Sequence, residues 1–88
     1  MTEAMVTIKS KVGLHARPAA RLVQEAMRHR CKITLMASGK KADARSMIQV
    51  LALGVQCGQE VVIRTDGTGE VEALQQLVSI VNESADGI

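Results

Sequence analysis

An α+β two-layer sandwich, with helices gathered on one face of a mainly antiparallel sheet, is the fold class this sequence predicts. Three observations carry the prediction. Stretches of period-2 hydrophobicity alternate with stretches of helical period in the order β-α-β-β-α-β-α. The 88 residues suffice for one modest core, so a single domain spanning 1–88 is expected. The chain has no Phe, Tyr or Trp, so that core must be assembled from Val, Ile, Leu, Met and Ala.

The first strand is read from Met5 to Ser10, with Val6 and Ile8 on the buried face and Met5, Thr7 and Lys9 on the other. Gly13 ends the alternation. From Pro18 onward Ala19, Leu22, Val23 and Ala26 keep the spacing of one helical face, and the helix is expected to fray near Arg28–Arg30. Proline suits a first turn, where its missing N–H has no helical partner, but it pushes the preceding residue away from helical dihedrals. Ala16 and Pro18 therefore both stand as starting points. Lys32 to Ala37 reads as a strand with Ile33 and Leu35 inward. After a Ser38-Gly39 turn, Lys40 to Ala44 returns as an edge strand whose lysines discourage further pairing.

Ser46-Met47-Ile48-Gln49 has the form of a capping box. The serine oxygen accepts from the Gln49 backbone, and the glutamine side chain reaches back to the cap. The helix it opens is short, because Gly54 and Gly58 follow. Glu60 to Thr65 is a β-branched strand with Val61 and Ile63 inward, and Asp66-Gly67-Thr68-Gly69 turns the chain. The last helix is expected to bury Val71, Leu74, Leu77, Val78 and Val81, with Glu70 and Glu72 in a first turn whose dipole favours them. Thr7, Lys9, Lys32 and Thr34 mark the second, largely wet face of the sheet.

The net charge of +2 conceals an asymmetry. Of the eleven bases only Arg64 follows Arg45, whereas Glu60, Asp66, Glu70, Glu72, Glu83 and Asp86 all do. The first half thus suits anionic ligands or acidic partners, or simply a solvated basic face. No run of about 20 apolar residues can span a bilayer. The opening MTEAMVTIK lacks the basic-then-apolar pattern of a secretion signal, so no membrane insertion and a cytoplasmic location are expected. Cys31 and Cys57 form no C-x-x-C pair and are read as ordinary free thiols.

The chemistry concentrates in GLHARPAA, Gly13 to Ala20. Helix N-termini leave N–H groups unpaired and carry partial positive charge, so they attract phosphate. His15 lies at or just before such a mouth. Arg17 and the helix end discourage protonation of the imidazole, keep a neutral nucleophile available near pH 7, and favour the dianion once it is transferred. A histidine beside a glycine is more commonly a cap or surface residue; the His-x-Arg-Pro setting is what raises the reactive reading. His29, in MRHR, has no such setting and is expected to be an exposed helix-end residue. Arg17, Arg21, Gln24 and Arg28 share a helical side, with Ala20 and Met27 beside them, a surface fit for an acidic partner. Met27 fits the core equally well, the commoner place for a single methionine. Met47, Ile48 and Leu51 cannot all point inward over one short helix, so at least one is expected to be exposed.

GLHARPAA, then ARSMIQVLALG, then EVVIRTDGTGEVEAL, resembles the HPr family, the histidine-containing phosphocarriers of the bacterial phosphoenolpyruvate-dependent sugar phosphotransferase system. The resemblance runs from about Met5 to Val81. It implies an open-faced β-sandwich with three helices on one face of a four-stranded sheet. It also implies that His15 accepts phosphoryl on Nδ1 from phosphorylated enzyme I and passes it to a histidine of a sugar-specific enzyme IIA domain. Arg17 would then be the charge partner and Pro18 would shape the helix mouth. The implied docking surface comprises Ala16, Ala20, Arg21, Gln24 and Met27, with Met47, Ile48 and Leu51. Such a protein is a carrier rather than an enzyme, expected as a monomer without cofactor or metal.

Ser46 matches the serine that a dedicated kinase modifies in many Gram-positive members, where a phosphorylase is its counterpart. Those members usually continue Ile-Met-Gly, and Met47-Ile48-Gln49 departs from that. A relative lacking the histidine has glutamine there, which sets it apart from this chain. A nitrogen-regulatory relative with its own enzyme I is separated only weakly. Two other classes fit the sequence less well. A basic nucleic-acid-binding domain lacks the aromatic side chains that stack bases and any recognisable RNA- or DNA-binding motif. A metal or redox module of His15, His29, Cys31 and Cys57 fits no usual ligand spacing.

Overall fold

The computed structural model describes residues 1–9, 13–14 and 16–87, with side chains described as far as Glu83. The readings made above for Ser10 and His15 lie outside the described residues. The elements are β1 (Thr2–Thr7), α1 (Ala16–Ala26), β2 (Lys32–Ala37), β3 (Lys40–Asp43), α2 (Met47–Ala52), β4 (Glu60–Asp66) and α3 (Glu70–Gly87). Their order is the expected one. Four strands pair antiparallel throughout in the order β1-β4-β2-β3, with three helices against the sheet.

Alternation along each strand builds the core. Val6 faces Val61, Ala4 faces Ile63, Ile63 also faces Leu35, and Leu35 faces Ala42. These side chains lie on the helix side, where Leu22, Ala26, Val50, Ala73 and Leu77 close over them. Successive strand residues point to opposite faces, so the intervening positions meet water. On that open face Arg64 Nε donates to Glu3 Oε2 at 2.8 Å across the β1–β4 pair. Thr7, Lys9 and Lys32 are exposed as expected, and Thr34 is half-buried.

One boundary, one core residue and one cap differ from the sequence reading. The first strand starts at Thr2 rather than Met5, because β4 supplies partners from Thr65 back to Glu60 for every residue from Thr2 to Thr7. Ile8 keeps its buried place beyond the strand end, with its N–H donated to Gln59 O at 2.9 Å. Val71 is not core: it is 59 % exposed. The inward line of α3 runs through Ala73, Leu77, Ile80 and Val81, with Leu74 and Val78 at its margin, which turns Val71 away from the sheet. Gln49 does not close a capping box. Its Oε1 instead accepts from Asp43 N at 2.9 Å, while Ser46 N donates to Asp43 O.

Candidate functional site

α1 begins at Ala16, so the residue immediately before it in the chain is His15. Of the two starting points, Ala16 is the real one, and Arg17 takes up helical geometry in spite of the proline after it. The N–H groups of Ala16 and Arg17 have no carbonyl four residues back inside the helix, and Pro18 has none to satisfy. Pro18 and Ala19 are buried, which seats the first turn on the core, while Ala16 and Arg17 are exposed. Arg17 has no ion-pair partner among the described residues. A helix mouth is thereby exposed at Ala16 and Arg17, whose amides have no intrahelical partner and whose guanidinium has no ion-pair partner among the described residues.

The segment before the mouth is held by backbone. Leu14 is buried and donates its N–H to Val55 O at 2.9 Å. Gly13 has φ +75°, and a Cβ there would lie 2.4 Å from Val55 O and 2.8 Å from Gln56 Cα. Only glycine combines that dihedral with so close an approach of two backbones. The sequence marked Gly13 as the end of a strand; its contact with the loop after α2 was not visible there.

The docking positions named from the family resemblance fall on α1 and α2, two elements that contact one another, with Met27 just past the end of α1. Ala16, Arg21 and Gln24 are exposed and Ala20 is half-buried. Met27 is 66 % exposed, so the core placement weighed for it is wrong: α1 ends at Ala26, and Met27 lies past the buried stripe of Pro18, Ala19, Leu22 and Ala26. On α2 the burden divides. Val50 is the buried residue, Met47 packs half-buried against the core, Ile48 is 82 % exposed and Leu51 39 %. Arg21 is tied to Glu83 of α3 at 2.9 Å, and Arg28 lies 3.7 Å from Glu25. Arg17 is thus the freer of the cations on this side.

Ser46 is the N-cap of α2, extended at φ −110° and ψ 109°, and its Oγ accepts from Gln49 N at 3.3 Å. Beside it, Arg45 Nη2 donates to the carbonyls of His29 and Cys31, tying the segment between α1 and β2 to the approach to α2. His29 is not an exposed helix-end residue. Its ring is mostly covered, and Nε2 hydrogen-bonds Glu25 Oε2 at 2.7 Å one turn back along the helix. Both cysteines are free thiols, Cys31 buried and Cys57 exposed. Among the described residues no three His, Cys, Asp or Glu side chains gather where they could hold a metal ion, and no helix is long and apolar enough to cross a membrane.

Comparison with known proteins meets this geometry. The family model describing the PTS HPr component phosphorylation site matches residues 2–83. The chain is 41% identical over 83 residues to the HPr-like protein Crh of Bacillus subtilis, covering 94% of this chain and 98% of that one. It is 37% identical over 83 residues to the phosphocarrier protein HPr of Vibrio cholerae, with coverage of 94% and 98%. The crystal structure of HPr-C-His from Thermoanaerobacter tengcongensis superposes with a TM-score of 0.93 at 36% identity, covering 100% of this chain and 99% of that chain. A crystal structure of an HPr dimer from the same organism aligns at TM-score 0.78 and 37% identity, with coverage of 99% and 100%.

Proposed function

The chain belongs to the HPr family, and on that premise we propose that it is a phosphoryl carrier of the sugar phosphotransferase system, acting as substrate and donor rather than as an enzyme. His15 accepts phosphoryl from phosphorylated enzyme I and delivers it to an enzyme IIA domain. One phosphorus–nitrogen bond breaks on the donor as another forms on Nδ1 of His15, and the reverse exchange loads the acceptor. The observation that carries this reading is the start of α1 at Ala16, directly after His15 in the chain, with Arg17 exposed in the first turn and without an ion-pair partner among the described residues. Free amides and a guanidinium next to the nucleophile spread the charge of a transferring phosphoryl group. The exposed surface of α1 and α2 serves donor and acceptor in turn, from a single copy of the chain in the cytoplasm.

The similarity to Crh favours a second reading, in which the chain is a regulatory HPr-like protein modified at Ser46. The B. subtilis protein has been described as the catabolite repression HPr. His15 supports the carrier reading over this one, because a purely serine-dependent regulator has no use for it. One experiment separates them: incubation with phosphoenolpyruvate and enzyme I. The expected result is an acid-labile, alkali-stable phosphoryl group on the wild-type chain and none on His15→Ala, whose fold is unchanged by circular dichroism. Undiminished labelling of His15→Ala would show that the nucleophile has been misassigned.

A further inference from the structure

We infer that Gln59, outside every element named so far as functional, is a positioning residue for phosphoryl acceptance. The inference deepens the carrier reading and rests on it. It starts from one peptide unit, the Val55–Gln56 bond. Its carbonyl accepts the N–H of Leu14 at 2.9 Å. Its N–H donates to Gln59 Oε1 at 2.6 Å. The glutamine and the residue preceding His15 therefore grip opposite ends of the same amide plane. Donation at one end strengthens the acceptor at the other, since hydrogen bonds in series polarise one another.

The plane has little other freedom. Gly13 packs on it so closely that no Cβ fits between. The other end of the same side-chain amide, Nε2, donates to Ser38 Oγ at 3.3 Å, which anchors the side chain to the β2–β3 turn. The Gln59 backbone adds a second hold: its carbonyl takes Ile8 N at 2.9 Å, and neighbouring Gly58 N donates to Ile8 O at 2.7 Å. The loop from Val55 to Gln59 thus clasps the chain on both sides of residues 10–12, at Ile8 and at Leu14. Among the described residues of that loop, Gln59 is the one whose side chain hydrogen-bonds this plane. A tilt there moves Leu14 and, through one covalent bond, the start of the residue that carries the nucleophile.

The test compares wild type with Gln59→Met, which keeps the length of the side chain and removes both polar ends, and Gln59→Glu, which keeps the acceptor. In Gln59→Met, amide exchange at Leu14 rises about tenfold while that of Ile63, in the central strand, stays as it was. With enzyme I and phosphoenolpyruvate, kcat for acceptance falls about tenfold at an unchanged KM, short of the roughly hundredfold loss that a full ångström of misplacement can bring. Gln59→Glu, whose carboxylate accepts the same N–H more strongly, returns kcat to within about threefold of wild type. An unmoved kcat in Gln59→Met overturns the inference, whatever Leu14 does. So does a rise in KM alone, or acceleration of all amides together, which is the mark of a merely structural role. A wild-type chain that takes up no phosphoryl in the same assay overturns the carrier reading and this inference with it. Normal wild-type uptake with an undiminished Gln59→Met overturns this inference alone.

Discussion

Arg17 stands exposed in the first turn of α1 with no carboxylate among the described residues to hold it, whereas Arg21 and Arg64 each sit within 3 Å of a glutamate oxygen. An uncommitted guanidinium needs no partner broken before it can meet incoming charge. Arg17→Ala is therefore expected to slow phosphoryl acceptance by about ten- to hundredfold. Thermal stability should change by no more than about 0.5 kcal/mol, as at other exposed sites. Rapid-quench phosphorylation and thermal melts measure the two, and a matching loss in both would assign Arg17 to the fold instead. A role proposed for such a residue can be argued from the sequence itself, because the chemistry is local: His, Arg and Pro stand within four positions. His29 and Gln59 offer no such argument. Each acquires its setting from a partner reached by folding, Glu25 four residues back for His29, and Gln56 and Ser38 for Gln59. Met27 failed for a third reason, since its burial depends on which residue closes the helix.

Among the elements, α2 is the most dependent on its ends, having six residues and only Val50 fully buried. Ser46 satisfies one of its free amides at 3.3 Å, a long bond, so Ser46→Ala is expected to cost about 0.5–1 kcal/mol, at the lower end for an N-cap. A urea midpoint left unmoved would mean that Gln49 and Asp43 hold the turn unaided. The cap was readable in sequence but the box was not, because Asp43 N offers Gln49 a competing donor that only the end of β3 brings near. At α3 the first turn is electrostatic. Glu70 accepts from the Met1 ammonium at 3.0 Å and from Gly67 N at 3.1 Å. The hydrogen bond from the ammonium, then that from Gly67, pulls the carboxyl below its usual range, and the same pairing raises the Met1 amino group. The depressed Glu70 contributes stability above its ordinary value and loses it as pH falls through the lowered one; the raised amine contributes below its ordinary value and loses it as pH rises past the higher one. Glu70→Gln should therefore flatten the stability profile at both extremes, and 0.5 M salt should mimic it, since both groups meet solvent. Profiles of wild type and variant that superpose over both ranges would exclude the pair as a contributor. The late reading of the first strand has the same root as these contacts: Thr2 and Ala4 are weakly apolar, and only β4, some sixty positions later, shows that they pair.

For the molecule as a whole, the architecture was readable because period-2 and helical patterns survive without aromatic residues, and β4 settles between β1 and β2 to join the two ends of the chain. What the patterns left open was which apolar residues the finished core would decline. Val71, Met27, Ile48 and Leu51 all remain outside it, and two of the four share α2. Ile48 is the sharpest case. At 82 % exposed it contributes almost nothing to the core, so a large β-branched side chain stands in water on α2, a helix that contacts α1. On the carrier reading this is contact surface for partners that are themselves acidic, and Ile48→Glu gives opposite signs for folding and docking. Ile48 is the second residue of α2, where a carboxylate meets the positive end of the helix, so stability should hold or rise by about 0.3–1 kcal/mol. Docking loses an apolar anchor and gains a repulsive charge, so KM for enzyme I should rise about tenfold or more while kcat stays near wild type. Steady-state phosphorylation over a range of carrier concentrations reads both constants. An unchanged KM would remove α2 from the docking face and leave recognition to α1, whereas a fall in kcat would bring Ile48 into the reacting geometry, from which its place on a separate helix sets it apart.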